Sequence, residues 1–127
     1  MNIFNNKLSF VHKDSLEFCI RAIIALLLDS SNYAQAGYMK RVLESVVIED
    51  KALFVKLSKT VEIWGGSGAV WEVFIQNRER EKVFQETMIK FADLLKDNGV
   101  SNYGIRSIKS LFEKQLQILN KPLPTCR

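Results

Sequence analysis

The sequence predicts an all-α fold, a single-domain bundle of five to six mostly antiparallel helices. Three observations carry this. Apolar residues recur three and four apart through nearly every segment, the period of an amphipathic helix. The breaks between segments are short and built from Asp, Asn, Ser and Gly, which cap helices and turn chains. No run of hairpin turns and no alternation of strand-like with helix-like segments occurs, so neither a β-sandwich nor a parallel α/β sheet fits. A chain of 127 residues suits one domain. Its 47% hydrophobic and 25% charged content excludes a disordered chain. No linker or fixed-period repeat divides it.

Residues 1–13 lack a helical period. They read as an N-terminal arm in which Phe4, Leu8 and Phe10 can pack onto the body. Asp14 or Ser15 then caps a helix running to about Leu28, with Leu16, Cys19, Ile20, Ile23, Ile24 and Leu27 on one face. The polar break 29–32 leads into a second helix, about Tyr33 to Ile48. It buries Ala36, Met39, Val42, Leu43, Val46 and Val47, with Gly37 offering a close helix contact. Glu49 and Asp50 place acids at the start of a third helix, where the macrodipole favours them. That helix is expected from about Lys51 to Trp64. Its stripe is Leu53, Leu57, Val61 and Trp64, with Lys51, Lys56 and Lys59 off the stripe.

A fourth helix is expected over about Gly68 to Gln76, from Val70, Trp71, Phe74 and Ile75. Asn77 caps the next, which buries Val83, Phe84, Thr87, Met88, Phe91, Leu94 and Leu95 and ends at Gly99 in a left-handed cap. Residues 100–102 recap the chain. The last helix covers about Tyr103 to Leu119, with Ile105, Ile108, Leu111, Phe112, Leu116 and Leu119 facing in. Pro122 and Pro124 then confine residues 120–127 to a tail.

The stretch Trp64-Gly65-Gly66-Ser67-Gly68-Ala69-Val70-Trp71 is the candidate functional site. It holds three of the six glycines and both tryptophans. A nucleophile elbow would need glycine where Ala69 stands, a strand before it, and a histidine after the serine, whereas His12 precedes it. A phosphate loop would need Lys-Ser/Thr after its glycines, and neither follows Gly68. Anion capture by N–H groups at Ser67–Ala69 needs less and stays open. So does a tight structural turn packed by its own indoles, in which Gly66 takes a positive φ. Glu62 and Glu72 flank the stretch and would make an acid pair if the turn joined them.

No pair of His or Cys residues stands at metal-ligand spacing, so no metal and no cofactor is expected. Cys19 reads as a buried small hydrophobe and Cys126 lies in the tail, which points to a reducing, cytoplasmic setting. No secretory signal appears, and the apolar run Ala22–Leu28 is too short for a membrane span. The net charge of +4 is uneven. Residues 98–127 carry Arg106, Lys109, Lys114, Lys121 and Arg127 against Glu113 alone. Arg106, Lys109 and Lys114 beside Tyr103 form a candidate basic patch, thinner than the dense stripe that nucleic-acid binding wants.

Residues 61–71, a helix end followed by Trp-Gly-Gly-Ser-Gly, resemble a group of small, functionally uncharacterised all-helical bacterial proteins. These carry a hydrophobic-Gly-Gly-x-Gly turn about halfway along. Some are encoded beside secreted toxins and act as immunity partners. The resemblance covers residues 14–76 and implies a toxin-neutralising role for this chain. With no catalytic constellation in view, a protein-interaction domain that is not an enzyme is the leading expectation. Its site is drawn from Glu62, Trp64, Gly65, Gly66, Ser67, Gly68, Trp71 and Glu72. A small ligand-binding domain or enzyme built on the 64–72 turn, and a weak nucleic-acid binder through 103–121, remain as alternatives. The oligomeric state stays open.

Overall fold

The N-terminal arm reaches the first helix through His12, which adopts left-handed backbone (φ 54°) without a side-chain cap. The structure is a computed structural model describing residues 9–120. Phe4, Leu8, Cys126 and the proline stop therefore lie outside the described residues. Helix α1 (Lys13–Asp29) begins slightly before the expected cap and holds Asp14 in its first turn. α2 spans Tyr33–Val47, α3 Lys51–Ser58 and α4 Val61–Trp64. A single 3-10 turn follows at Val70–Glu72. α5 (Arg78–Asp97) and α6 (Tyr103–Asn120) complete the chain. Among the described residues there is no strand, and the fold is an all-α bundle. None of these helices is long and apolar enough to cross a membrane.

α1 lies along α2 and α5, and α5 lies along α6. The contacts fix the directions. Val11 meets Asn98, the Cys19 thiol meets the Thr87 carbonyl, and Asp29 pairs with Arg80, so α1 and α5 run antiparallel. Phe84 meets Phe112 and Asp93 pairs with Lys109, so α5 and α6 do too. Leu16, Ile20, Ile23 and Leu27 of α1 meet Met39, Phe54, Ile63, Phe91 and Leu95 in the core. Gly37 is exposed with nothing within 4 Å of where a Cβ would stand, so it makes no close helix contact.

Asp50, expected only as an acid at a helix start, caps α3, and the caps expected at Asn77 and within residues 100–102 are present at Asn77 and Asn102. Their side chains accept from the backbone N–H groups of Leu53, Arg80 and Ile105, at 3.0, 3.0 and 2.9 Å. Gly99 is left-handed (φ 80°), and Gly99 N–H and Val100 N–H donate to the Lys96 and Leu95 carbonyls. That pair of bonds is the Schellman motif. The same pair closes α1 at Ser31 and α2 at Glu49, where the left-handed residues are not glycine (φ 63° and 59°).

Three expectations fail. The helix expected over 51–64 is two helices. α3 stops at Ser58 because side chains take its last carbonyls: Tyr38 Oη donates to the Leu57 carbonyl at 2.7 Å, and Trp64 Nε1 donates to the Ser58 carbonyl at 2.8 Å. The register then shifts, so Ile63 and Trp64 point inward while Val61 is 72% exposed. Second, the helix expected over 68–76 is only the 3-10 turn, followed by extended backbone at Val73. Val70, Val73 and Ile75 are β-branched and lose rotamer freedom in a helix. Here Val70 and Ile75 are buried as separate anchors, and Asn32 Nδ2 holds the Phe74 carbonyl at 3.3 Å.

Third, Lys51 is not off the stripe but only 9% exposed. Its ammonium donates to the Ser9 carbonyl at 2.9 Å and to Asn98 Oδ1 at 3.3 Å, and sits 5.1 Å from the Phe10 ring centre. Phe10 packs edge-on against Phe54, and Asn98 also exchanges two hydrogen bonds with the Val11 backbone. The arm is thus strapped to the body. Smaller misses follow from the same packing: Val47, Val83 and Leu111 are exposed, while Ser45, Gln85 and Ala92 are buried.

Two predictions follow from the backbone and from Lys51. Ser31→Gly and Glu49→Gly should each raise stability by about 0.5–1 kcal/mol, since glycine pays no steric cost in left-handed backbone; urea melts that show a loss would contradict the two caps. Desolvation lowers the pKa of Lys51 from its ordinary 10.5. Between the lowered value and 10.5 the folded chain holds fewer protons than the unfolded chain, so stability rises with pH through that window. Wild type should therefore gain on Lys51→Met as pH climbs towards 10.5. A difference independent of pH would contradict a buried ammonium.

Candidate functional site

The glycine stretch is built outward from its two indoles. Trp64 ends α4, is 7% exposed, and stacks on Phe91 of α5 with ring centres 6.1 Å apart and planes 14° apart. Trp71, on the 3-10 turn, meets Phe112 of α6 edge-on at 6.2 Å. Its Nε1–H donates back to the Gly65 carbonyl, closing the loop from beneath. Each indole thus buries a large apolar surface and satisfies its one donor on backbone. The loop's outer side is held by Gln35, whose Nε2 donates to the Gly68 carbonyl at 3.0 Å.

The glycines have different reasons to be there. Gly65 N–H closes α4 on the Val61 carbonyl at 2.9 Å. A Cβ at Gly65 would lie 2.6 Å from that carbonyl oxygen, so a side chain does not fit. Gly68 is left-handed (φ 85°). Gly66, expected to carry the positive φ, does not, and a Cβ there would meet nothing within 4 Å. Ser67 sits exposed between them.

The chemical readings of this stretch rest on its N–H groups and its two flanking acids. The anion reading needed N–H groups at a helix start. The 3-10 turn has three residues, and Ala69 N–H is taken by the Gly66 carbonyl at 3.0 Å. Glu62 and Glu72 are both exposed. Burial raises the pKa of the Tyr38 hydroxyl, which its hydrogen bond with Thr60 partly opposes. Among the described residues, no three His, Cys, Asp or Glu gather into a metal-holding group. Cys19 is buried under Thr87 and Lys90, and burial pushes its thiol up to about 12, so it stays protonated at neutral pH.

The basic patch is divided. Lys109 Nζ lies 2.7 Å from Asp93 and 3.9 Å from Glu113, and its pKa is raised chiefly by the hydrogen bond to Asp93. Arg106 Nη1 donates to Ser101 Oγ at 3.2 Å, and Lys114 stands exposed on α6.

The structure brings together a site that the sequence pattern did not show. α4 abuts α6, and a shallow groove runs between them, lined by Val61, Trp64, Gly65, Tyr103 and Gly104. Val61 and Tyr103 are its walls, 72% and 77% exposed. Gly104 opens the floor, since a Cβ there would lie 3.7 Å from Trp64 Cβ. Only Trp64 and Gly65 of the expected site line this groove. The one legible signal was Gly104 beside Tyr103, a glycine inside a helical pattern. The helix break that turns Val61 outward carried none.

Comparison of the chain with protein-family models, with curated proteins and with solved structures found no match.

The loop geometry predicts a graded glycine series. Gly65→Ala should cost at least about 2 kcal/mol, through a clash with α4 that only backbone movement relieves. Gly68→Ala should cost about 1 kcal/mol, and Gly66→Ala should stay within about 0.5 kcal/mol. Denaturation showing Gly66 to be the most sensitive of the three would mean that the loop is wrongly placed.

Proposed function

We propose that this chain is a protein-interaction domain, acting in the cytoplasm, that docks a partner in the Val61–Tyr103 groove. One observation carries the reading. Two large apolar side chains that could be buried are held in water on either side of an apolar floor made by Trp64 and Gly104. An exposed aromatic over such a floor is the kind of anchor that dominates binding energy at interfaces. The rest of the expected site, Gly66, Ser67 and Gly68, serves the loop rather than the groove. The finer reading is that of an immunity protein, in which the partner is a toxin domain that the groove helps to mask. Its support is the resemblance of residues 61–71 to toxin-neighbouring helical proteins.

The test is paired capture from the native cytosol by wild type and by Val61→Ser plus Tyr103→Ser. Both positions are exposed, so the melting temperature should hold while a stoichiometric protein partner is lost, with retention falling at least about tenfold. Equal retention by both chains, or no stoichiometric partner on wild type, would overturn the docking groove. The immunity reading adds that the captured protein is toxic when expressed alone and harmless when this chain is co-expressed.

A further inference from the structure

The first turn of α6 separates two concavities. Tyr103 and Gly104 line the apolar groove, while Ser101 and Arg106 line a cleft between α5 and α6 on the other side of the same turn. Cations stand at both. Lys59 is exposed at the rim of the groove, and Lys96 and Arg106 are exposed in the cleft. The Arg106 partner, Ser101 Oγ, is neutral. Lys109 shares the cleft, but Asp93 and Glu113 already oppose its charge. Glu62, next to Val61, is the one carboxylate adjacent in sequence to the groove's own wall residues.

We infer that this two-part surface takes an acidic segment of a partner protein. An aliphatic or aromatic side chain seats between Val61 and Tyr103 over Trp64 and Gly104. Carboxylates of the same segment reach Lys59 on one side and Lys96 and Arg106 on the other. The inference rests on the docking groove proposed above and adds the chemistry of what fills it. Charge complementarity selects this occupant. A second copy of the chain would set the same basic rim against itself, because a two-fold interface pairs a patch with its own image. A nucleic-acid backbone would run its phosphates past Asp93 and Glu113, which lie in the cleft. A peptide places its charges discretely and avoids them.

The experiment is selection of a displayed library of random peptides, about twelve residues each, on the full chain, with counter-selection on Val61→Ser plus Tyr103→Ser. The expected result is enrichment of net-acidic peptides carrying one Leu, Ile, Phe or Trp. Their binding should fall at least about fivefold when salt rises from about 0.05 to about 0.3 M, and by a similar factor on Lys59→Glu plus Arg106→Glu. Lys59→Gln plus Arg106→Gln replaces that variant if its circular dichroism shows loss of helix. Neutral or basic winners, salt-insensitive binding, or no enrichment over the counter-selected chain would overturn the inference. So would a concentration-dependent dimer, or a mobility shift with a random oligonucleotide, that Tyr103→Ser abolishes. The two readings fail separately. A captured partner that depends on Val61 and Tyr103 but stays bound in high salt keeps the groove and removes the acidic segment. A partner indifferent to both residues removes both.

Discussion

The structure depends on where α3 stops. The Trp64 indole donates to the Ser58 carbonyl, and the Tyr38 hydroxyl donates to the Leu57 carbonyl. A helix leaves its last carbonyls without partners. Here two aromatic side chains supply donors, and the chain is released from helical geometry at Lys59 and Thr60. Thr60 Oγ1 also lies 2.7 Å from Tyr38 Oη, which ties the break to α2. Capping of this kind contributes about 1 kcal/mol for each neutral hydrogen bond. Burying most of an indole contributes about 3 kcal/mol more. The break is therefore favoured over one additional turn of helix, which would add hydrogen bonds but carry Trp64 off Phe91.

Much follows from this stop. α4 restarts in a new register with Ile63 and Trp64 inward and Val61 outward. This short helix ends at Gly65, where only glycine clears the Val61 carbonyl. The loop then needs a closure, and Trp71 supplies it by reaching the Gly65 carbonyl while packing on Phe112. The stretch that carries both tryptophans is thus a structural joint between the α1–α2–α3 half and the α5–α6 pair. Its functional contribution is indirect: it fixes the wall and floor of a groove whose other wall belongs to α6.

The fold was legible where its causes are local. Asn77 and Asn102 cap the backbone three residues on, and Gly99 turns left-handed within one turn of its helix, so short-range pattern contains all the information needed. The α1 face, from Leu16 to Leu27, matched without exception for the same reason. What was not legible depends on distant partners. The donor that helps to end α3 comes from Tyr38, and the carbonyl and amide that bury Lys51 come from Ser9 and Asn98. Ser31 and Glu49 take left-handed backbone in the turns that close α1 and α2, although their types argue against it. Of the expected site, Trp64 and Gly65 line the groove. Glu62 and Glu72 are exposed and do not line it.

The most direct test of this account is the backbone NMR of residues 51–64, read through Cα secondary shifts together with contacts of the Trp64 indole proton. The account predicts helical shifts that lapse at Lys59 and Thr60 and resume at Val61, with the indole N–H close to Ser58 and slow to exchange. Unbroken helical shifts from Lys51 to Trp64, with a solvent-exposed indole N–H, would contradict it. Val61 would then fall back onto the buried stripe, and the groove would lose its wall.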